Sequence, residues 1–170
     1  MVRCALTGTP GTGKTSISKL LNTKVVNLSD YYEEASEGKT EFGEWLLDLD
    51  KLNRLVKDLK LEDGFYEGHT SHTLDDLEMV LLLRCDPLVL RERLTKRNYS
   101  KEKINENLEA EALNIILDEA LDHIEADKIF QLDTTHLNPQ ESSKKIMEFI
   151  NGNIKLDESF DYSERIMDLY

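Results

Sequence analysis

GTPGTGKT, at residues 8–15, matches the pattern G-x-x-x-x-G-K-[ST] of a phosphate-binding loop. Glycines at these positions let the backbone wrap closely around phosphate oxygens, and successive amide groups then point inward toward the anion. In such a loop Lys14 reaches the terminal phosphates of a nucleotide, and the hydroxyl of Thr15 coordinates Mg²⁺. The octapeptide therefore predicts a binding site for ATP and Mg²⁺. The residues predicted to contact the nucleotide here are Gly8, Gly11, Gly13, Lys14, Thr15 and Ser16.

The residues on either side of the loop fit this interpretation. An apolar run at 2–6 has the length of a buried strand. After the loop, Ile17, Leu20 and Leu21 share one face of a helix. Strand, glycine-rich loop and helix is the order that a P-loop requires, and this context argues against a chance match in an ordinary turn.

Apolar runs alternate with helical periodicity along the rest of the chain. Further strands are predicted at 24–28, 64–67, 79–85 and 128–132. Helices are predicted at 50–61, from 87 to an interruption at 98–101, at about 102–124, and from 139 to about 151. Ser29 and Asp30 are expected to cap a short helix, and residues 36–49 to form a mobile excursion. Five strands separated by helices predict an α/β fold, in which a parallel five-stranded sheet lies between two helical layers.

The chain has 170 residues and a formal net charge of −13. This length predicts one domain with a substantial core, and the charge argues against broad binding to a nucleic-acid backbone. An acidic surface suits a basic partner, or simply keeps the protein soluble. The sequence contains no run of about 20 apolar residues, and its first apolar run lacks a signal-peptide pattern. We therefore expect no membrane span and a cytoplasmic, intracellular protein.

Two cysteines and two histidines, residue types that often bind metals or take part in catalysis, are assigned no such role. Cys4 and Cys85 occur inside apolar runs, without a cysteine or histidine at metal-ligand spacing. They are predicted to be buried, reduced thiols, with no zinc site and no disulfide. His72 and His123 are expected to lie on the surface.

The end of the predicted strand 64–67 carries two candidate catalytic residues. A P-loop enzyme needs an acidic residue at the end of a neighbouring strand, to hold Mg²⁺ directly or through water. Glu67 is predicted to take this role, which makes Thr15 and Glu67 the predicted metal ligands. His69 is placed to orient a water molecule or a phosphate, with an ordinary turn histidine as the alternative.

A basic segment at 91–97 precedes the interruption at 98–101. Phosphoryl transfer needs cations that approach the phosphates from the side opposite the loop. Arg97 lies at the edge of the interruption, where a short lid would bring it over the nucleotide. Arg91 and Arg93 fit better on a solvated helix face. The predicted catalytic residues are therefore Lys14, Glu67, His69 and Arg97.

The last segment, 153–170, is acidic but contains several aliphatic and aromatic side chains. It is too apolar for a plain solvated tail. Either it packs along the domain, or it binds a partner as an amphipathic segment. Packing is the favoured alternative, because proteins usually avoid an exposed apolar patch.

Four segments together resemble the atypical adenylate kinases with ATPase activity that serve as biogenesis factors of the small ribosomal subunit. This family, of the adenylate kinase isoenzyme 6 type, occurs in archaea and in the eukaryotic nucleus, and an archaeal member is indicated. The resemblance covers about residues 1–150. Its segments are LTGTPGTGKT at 6–15, EGH at 67–69, LLLRCDPLVLRERLTKRNYS at 81–100 and KINENLEAEALNIILDEA at 103–120.

The resemblance implies a nucleoside-monophosphate-kinase fold with sheet order 2-3-1-4-5. Residues 1–152 would form the kinase domain, with a monophosphate-binding region at 27–50 and a short lid at 96–106, followed by the tail at 153–170. The first and fourth strands would be neighbours, so Cys4 and Cys85 are expected to lie close together. The implied reaction is ATP + AMP ⇌ 2 ADP with Mg²⁺, alongside slow ATP hydrolysis. The implied role is maturation of the small ribosomal subunit, with the basic ribosomal protein uS11 as partner.

The chain departs from this family in three places. Glu67 stands where the family usually has Asp. After Asp30, residues 31–34 (YYEE) lack the usual basic residue, which weakens the expectation that AMP is the acceptor. The loop at 133–137 lacks the basic residue often found near the adenine, so that His136 is only a candidate neighbour of the base. Residues that would substitute for the missing acceptor cation are Lys39, Lys51 and Arg54.

Three functions therefore remain open. The first is a nucleoside-monophosphate kinase with AMP as acceptor. The second is an ATPase switch in ribosome assembly, in which His69 orients the attacking water. The third is a kinase of a small metabolite, against which the match in the lid and the following helix argues.

Overall fold

The computed structural model describes residues 2–41, 43–59, 63–156 and 159–168. The strands are β1 Arg3–Gly8, β2 Val25–Asn27, β3 Ser36–Lys39, β4 Trp45–Leu47, β5 Gly64–Glu67, β6 Met79–Arg84 and β7 Ile129–Asp133. The helices are α1 Lys14–Ser18, α2 Leu49–Asp58, α3 Pro87–Lys96, α4 Lys101–Ala112, α5 Ile115–Leu121 and α6 Pro139–Ile150. Among these described residues, no helix has the length and apolar character needed to cross a membrane.

A parallel sheet of five strands forms the centre, in the order β2-β5-β1-β6-β7. Counted among the parallel strands alone, this order is 2-3-1-4-5. β3 and β4 form a separate antiparallel pair. The predicted α/β fold with a five-stranded parallel sheet is confirmed.

Helices cover both faces of the sheet, because successive side chains of a strand point to opposite sides. Leu6 and Leu81 pack on one side with Ile17 of α1 and Ile146 of α6. Ala5 and Val80, their neighbours along the strands, pack on the other side with residues of α5 and the segment after it. The sheet is therefore the middle of three layers.

The loop at 8–13 begins at the end of β1, where Gly8 pairs with Leu83 of β6. Gly8 has φ +145°, and a Cβ there would lie 2.6 Å from the carbonyl oxygen of Leu83. A larger residue would push the two central strands apart. Glycine at this position is thus required by the sheet itself, apart from the contact with phosphate that the sequence predicts for it.

Two predicted helix starts are confirmed in detail. The carboxylate of Asp86 accepts a hydrogen bond from the Leu88 amide at 2.8 Å, and Pro87 occupies the first turn of α3. Asn138 and Glu141 form a reciprocal capping box at the start of α6. At both positions a short polar capping residue followed by proline predicts a helix start, and the rest of the fold leaves that start unchanged.

The prediction of one long helix at 102–124 is wrong, because the helix is interrupted at Asn114. This residue has φ +58°, in the left-handed region, and separates α4 from α5. Its side-chain oxygen accepts a hydrogen bond from Arg84 at 2.6 Å, which holds the break in place. Asn98 has φ +59°, so that left-handed residues lie on both sides of α4.

The region before α2 is more regular than expected. Residues 36–49, predicted as a mobile excursion with no strand assigned, contain the β3–β4 pair, in which the Lys39 ammonium lies 3.9 Å from the centre of the Trp45 ring. Ser29 and Asp30 do not cap a helix, because both lie inside the 3₁₀ turn Leu28–Tyr31. α2 begins at Leu49, and its predicted end at 61 lies outside the described residues.

Both cysteines are free and buried, as predicted. The prediction that they lie close together is wrong. β1 and β6 are neighbours, but Cys4 pairs with Met79 at the start of β6, whereas Cys85 follows its end. The separation along the strand is about 20 Å at the usual rise per residue. Strand order alone does not fix which residues are opposite one another.

The described part of the last segment packs against the domain. Leu156 contacts the core cluster around α1 and α6, and Ile166 packs against the apolar residues between α3 and α4. The Arg165 guanidinium binds the Asp86 carboxylate at 2.9 Å. The Phe160 carbonyl accepts a hydrogen bond from Arg84. Of the two alternatives for this segment, the structure shows packing.

Candidate active site

Lys14 is buried at the start of α1 and folds back onto the loop. Its Nζ donates to the carbonyl oxygens of Gly8 at 2.5 Å and Thr9 at 3.1 Å. Burial lowers the pKa of Lys14 to about 8, while the carboxylates of Glu67 and Glu111 oppose this shift. The site thus holds a buried basic group beside the loop, which suits the binding of phosphate.

The loop is packed tightly against α3. A Cβ at Gly11, which has φ +95°, would lie 2.7 Å from a methyl group of Leu90. Leu90 is itself fully buried. The loop conformation is therefore supported from behind by the helix that carries the basic segment 91–97.

Thr15 and Glu67, the predicted metal ligands, lie next to each other. The Thr15 hydroxyl donates to Glu67 Oε1 at 3.2 Å. Burial raises the pKa of the Glu67 carboxyl, against the effects of Lys14 and Thr15. A hydroxyl and a carboxylate are the oxygen ligands that Mg²⁺ prefers, so these residues fit the ion directly or through water. Glutamate in place of aspartate keeps this geometry available.

His69 is held by Tyr32, which the sequence did not single out. The Tyr32 hydroxyl lies 3.3 Å from His69 Nδ1 and 3.2 Å from Thr70 Oγ1, and the two rings meet edge to face at 5.6 Å. Burial, and next the positive charge of Lys14, lower the pKa of His69 to about 4. The imidazole is therefore neutral near pH 7. Tyr32 could not be found from the sequence, because its position 37 residues before His69 carries no periodic signal.

One cavity of about 210 Å³ brings together all four predicted catalytic residues. Lys14, Glu67, His69 and Arg97 line it, although they come from α1, β5, the loop after β5 and the end of α3. Its other lining residues are Pro10, Gly11, Gly13, Thr15, Ser29, Tyr32, Gly68 and Tyr99. Gly8, at the start of the loop, is not among the residues that line this cavity.

A second cavity, of about 310 Å³, lies on the other side of the loop and shares Arg97 with the first. Ser16, another predicted contact, lines it together with Arg93, Thr134 and Leu137. Its remaining lining residues are Gly11, Thr12, Gly13, Ile17, Lys96, Pro139 and Ser142. His136 is exposed and is not among the residues that line this cavity.

Arg93 does not lie on a solvated helix face, so that prediction is wrong. Its guanidinium reaches from α3 to the loop after β7, where it donates to the Thr134 carbonyl at 2.7 Å and to the Thr134 hydroxyl at 3.2 Å. It also helps to line the second cavity. The sequence placed it near Arg97, but only the fold brings the loop after β7 to it.

The basic residues suggested as acceptor cations do not reach the first cavity. Lys39 stacks on Trp45, and neither Lys51 nor Arg54 lines the cavity. In the part of the chain that the structure describes, Lys14 and Arg97 are its basic lining residues. The side toward Tyr32 is therefore lined by hydroxyl groups and an imidazole, without a cation of its own.

His72 is buried, so the prediction of a surface histidine is wrong. Its Nδ1 lies 3.0 Å from the Thr7 hydroxyl and its Nε2 3.0 Å from a carboxylate oxygen of Glu119. Burial lowers the pKa of His72, against the effect of Glu119. The histidine thus joins β1, immediately before the phosphate-binding loop, to α5.

Replacing His72 with glutamine should reduce the amount by which the free energy of unfolding decreases at acid pH. Because the folded protein holds the pKa below its ordinary value of 6.5, the unfolded chain binds a proton first as the pH falls. The free energy of unfolding of the unchanged protein should therefore decrease below about pH 6.5, and that of His72→Gln should decrease less. Urea titrations between pH 7.5 and about 5.5 measure this difference. His123→Gln, at an exposed position, is the control, and identical slopes for His72→Gln and the unchanged protein would refute the assignment.

Fold and site together define a class of protein. A phosphate-binding loop with its lysine and hydroxyl, a facing carboxylate and an arginine at the cavity, on this parallel sheet, are the parts of a P-loop kinase. A protein-family model described as "AAA domain" matches residues 5–114, which is more than half of the chain. The chain is thus a P-loop kinase that acts on a nucleotide or another small molecule.

Archaeal proteins are among those with similar sequences. The chain is 42% identical to a protein of Pyrococcus abyssi named "Putative adenylate kinase", over 89% of this chain and 85% of that protein. A Methanococcus maripaludis protein of the same name is 34% identical, over 93% of this chain and 97% of its own length. The chain belongs to the family of these archaeal proteins.

Solved structures with low sequence identity share the fold. A shikimate kinase from Acinetobacter baumannii in complex with shikimate has a TM-score of 0.60 at 13% identity, covering 90% of this chain and 94% of its own. A sugar kinase from Janibacter sp. HTCC2649 has a TM-score of 0.55 at 17% identity, covering 89% and 95%. At these identities the likeness concerns the fold alone.

Proposed function

We propose that the protein is an adenylate kinase, which catalyses ATP + AMP ⇌ 2 ADP with Mg²⁺. The observation that carries the proposal is the cavity in which Lys14, Glu67, His69 and Arg97 meet. The name of the archaeal relatives supports the same reaction. We further propose the kinase domain at 1–152, with the monophosphate region and lid at 27–50 and 96–106.

The donor ATP is proposed to bind across the two cavities that share Arg97. Its triphosphate would lie on the loop, against Lys14, and its base in the cavity lined by Arg93 and Leu137. The planar guanidinium of Arg93 and the apolar side chain of Leu137 suit the face of a purine. Thr15 and Glu67 would hold Mg²⁺, which neutralises charge on the phosphates when it is bound.

The acceptor phosphate is proposed to enter the first cavity from the side of Ser29 and Tyr32. Phosphoryl transfer needs positioning and charge stabilisation more than proton transfer. Lys14 would stabilise the transferring group from the loop, and Arg97 from the lid. Neutral His69, fixed by Tyr32, would hydrogen-bond the acceptor phosphate without repelling Lys14.

Product analysis with purified protein tests this proposal. The chain is incubated with Mg-ATP, with and without AMP, and ADP and inorganic phosphate are followed separately. An adenylate kinase forms ADP much faster with AMP and releases little phosphate. No ADP formation in response to AMP would refute the proposal. A strong response to a small metabolite instead would assign the site to a metabolite kinase.

A second candidate is an ATPase switch in maturation of the small ribosomal subunit. The lack of a cation on the Tyr32 side of the cavity, among the described residues, favours it over efficient AMP binding. The net charge of −13 suits a basic partner, for which the ribosomal protein uS11 is the proposal. Phosphate release that is indifferent to AMP, and that changes when uS11 is added, is the expected result for such a switch.

His69→Ala separates the two candidates. If His69 orients the attacking water, its loss should lower ATP hydrolysis by about 10²-fold while phosphoryl transfer to AMP falls by much less. The two rates are measured on the same preparation, with His123→Ala as an exposed control. Equal losses of both activities would contradict the water-orienting role.

A further inference from the structure

A buried carboxylate outside the cavity holds the phosphate-binding loop in place. Glu111, in the last turn of α4, is 2% exposed, and its Oε2 accepts a hydrogen bond of 2.6 Å from the Thr9 hydroxyl. Its Oε1 accepts from Arg84 Nε at 2.8 Å and from the Cys85 amide at 3.0 Å. Three donors, from the loop, from β6 and from the residue that follows β6, therefore fix this side chain, and a buried ion pair removes its remaining freedom.

Thr9 carries this restraint directly to the lysine. Its carbonyl oxygen accepts hydrogen bonds from the Thr12 amide at 3.2 Å, the Thr12 hydroxyl at 2.8 Å and Lys14 Nζ at 3.1 Å. Thr9 is 1% exposed and does not line the cavity. Thr9 thus contacts Glu111 through its side-chain hydroxyl and Lys14 through its backbone carbonyl.

We propose that Glu111 is a positioning residue for nucleotide binding, which acts through the Thr9 hydroxyl to fix the carbonyl that holds Lys14. The ligand class is a nucleoside diphosphate or triphosphate, whose phosphates contact the loop. The inference rests on the nucleotide-binding part of the proposed function and on none of its acceptor chemistry. It also places the anchor of the loop on α4, the helix that begins at Lys101, at the end of the interruption predicted at 98–101.

Thr9→Val tests the inference without removing the ion pair. Valine has nearly the shape of threonine, so that the packing and the Arg84–Glu111 bridge remain while the hydroxyl is lost. Because a hydrogen bond to a buried charge disappears, we expect the Kd for Mg-ADP to rise about tenfold, measured by titration calorimetry at 25 °C. Thr9→Ser restores the hydroxyl and should return the Kd to within about twofold of the unchanged protein.

Ser143→Ala is the matched control for general destabilisation. Its hydroxyl is also buried and donates to the Gln140 carbonyl at 2.9 Å, in α6, away from Thr9. It should lower the melting temperature and leave the Kd for Mg-ADP unchanged. The inference is overturned if Thr9→Val, like Ser143→Ala, lowers the melting temperature without changing the Kd for Mg-ADP. It is also overturned if Thr9→Val raises the Kd and Thr9→Ser does not restore the Kd.

The test distinguishes this inference from the proposed reaction. If the unchanged protein binds Mg-ADP but does not use AMP, the adenylate kinase proposal fails and the comparison of Kd values still decides the role of Glu111. If the unchanged protein does not bind Mg-ADP at all, both are overturned. Glu111→Gln is the more obvious variant, but it leaves Arg84 buried without its counter-charge and is less stable for that reason alone.

Discussion

Lys14→Ala should lower ATP-dependent phosphoryl transfer by about 10³-fold or more, the largest loss that we expect from any single substitution. In the proposed mechanism the lysine supplies positive charge at the transferring group, and its burial strengthens that interaction. Arg97 is proposed to act from the lid, on the opposite side from the loop, and would not replace it. Initial rates of ADP formation from Mg-ATP and AMP measure the effect.

Two checks make the result specific. Lys19→Ala removes an exposed lysine at the end of the same helix and should keep the rate within about twofold. Circular dichroism and a thermal melt establish that Lys14→Ala folds, because Lys14 also donates to the loop carbonyls. A folded Lys14→Ala protein that loses less than about tenfold in rate would remove Lys14 from the catalytic set.

Arg84→Met should lower the free energy of unfolding by about 3–5 kcal/mol. Arg84 is 1% exposed and forms the ion pair with Glu111, while its other nitrogens donate to Gln131, Asn114 and the Phe160 carbonyl. Methionine fills the space of the arginine stem but leaves the carboxylate buried without a counter-charge. For a chain of this length, the melting temperature should fall by about 10 °C.

The double variant separates the charge from the packing. Adding Glu111→Leu to Arg84→Met removes the unpaired carboxylate, so that stability should return in large part. Nucleotide affinity should fall in the double variant, because Glu111→Leu removes the acceptor of the Thr9 hydroxyl. Lys128→Met, which breaks the exposed pair with Glu125, is the control and should change stability little. Equal stability of the single and double variants would show that the buried charge was not the cause.

The sequence predicted the parts of the site that depend on short segments. The P-loop spacing, the strand that ends at Glu67 and the turn to His69 each lie within a few residues, so that local rules of strand and loop place them. The meeting of Lys14, Glu67 and His69 also followed, because the carboxyl ends of parallel strands share one edge of the sheet. The expectation for Arg97 came instead from the short lid after the basic segment 91–97. Their roles in catalysis stay predictions.

The sequence did not predict what depends on distant residues. Thr9 and Glu111 are separated by 102 positions, and no periodic pattern connects them. The break at Asn114 was missed because apolar residues continue with helical spacing across it, and only the buried Arg84 supplies the partner that favours a left-handed residue there. His72 was assigned to the surface because its polarity is visible in the sequence, whereas its partners Thr7 and Glu119 are distant along the chain.

The left-handed residues on either side of α4 have a consequence for the construction of hybrid enzymes. Asn98 and Asn114 let the chain change direction without distorting its neighbours, so that 99–113 is bounded as a replaceable cassette. Such a cassette carries the second half of the lid proposed at 96–106, including Tyr99, which lines the first cavity. Exchange of residues 99–113 for the corresponding segment of a relative would change the part of the cavity lining that Tyr99 forms. The hybrid would keep the contact that positions the phosphate-binding loop only if the new segment has a glutamate at the position of Glu111.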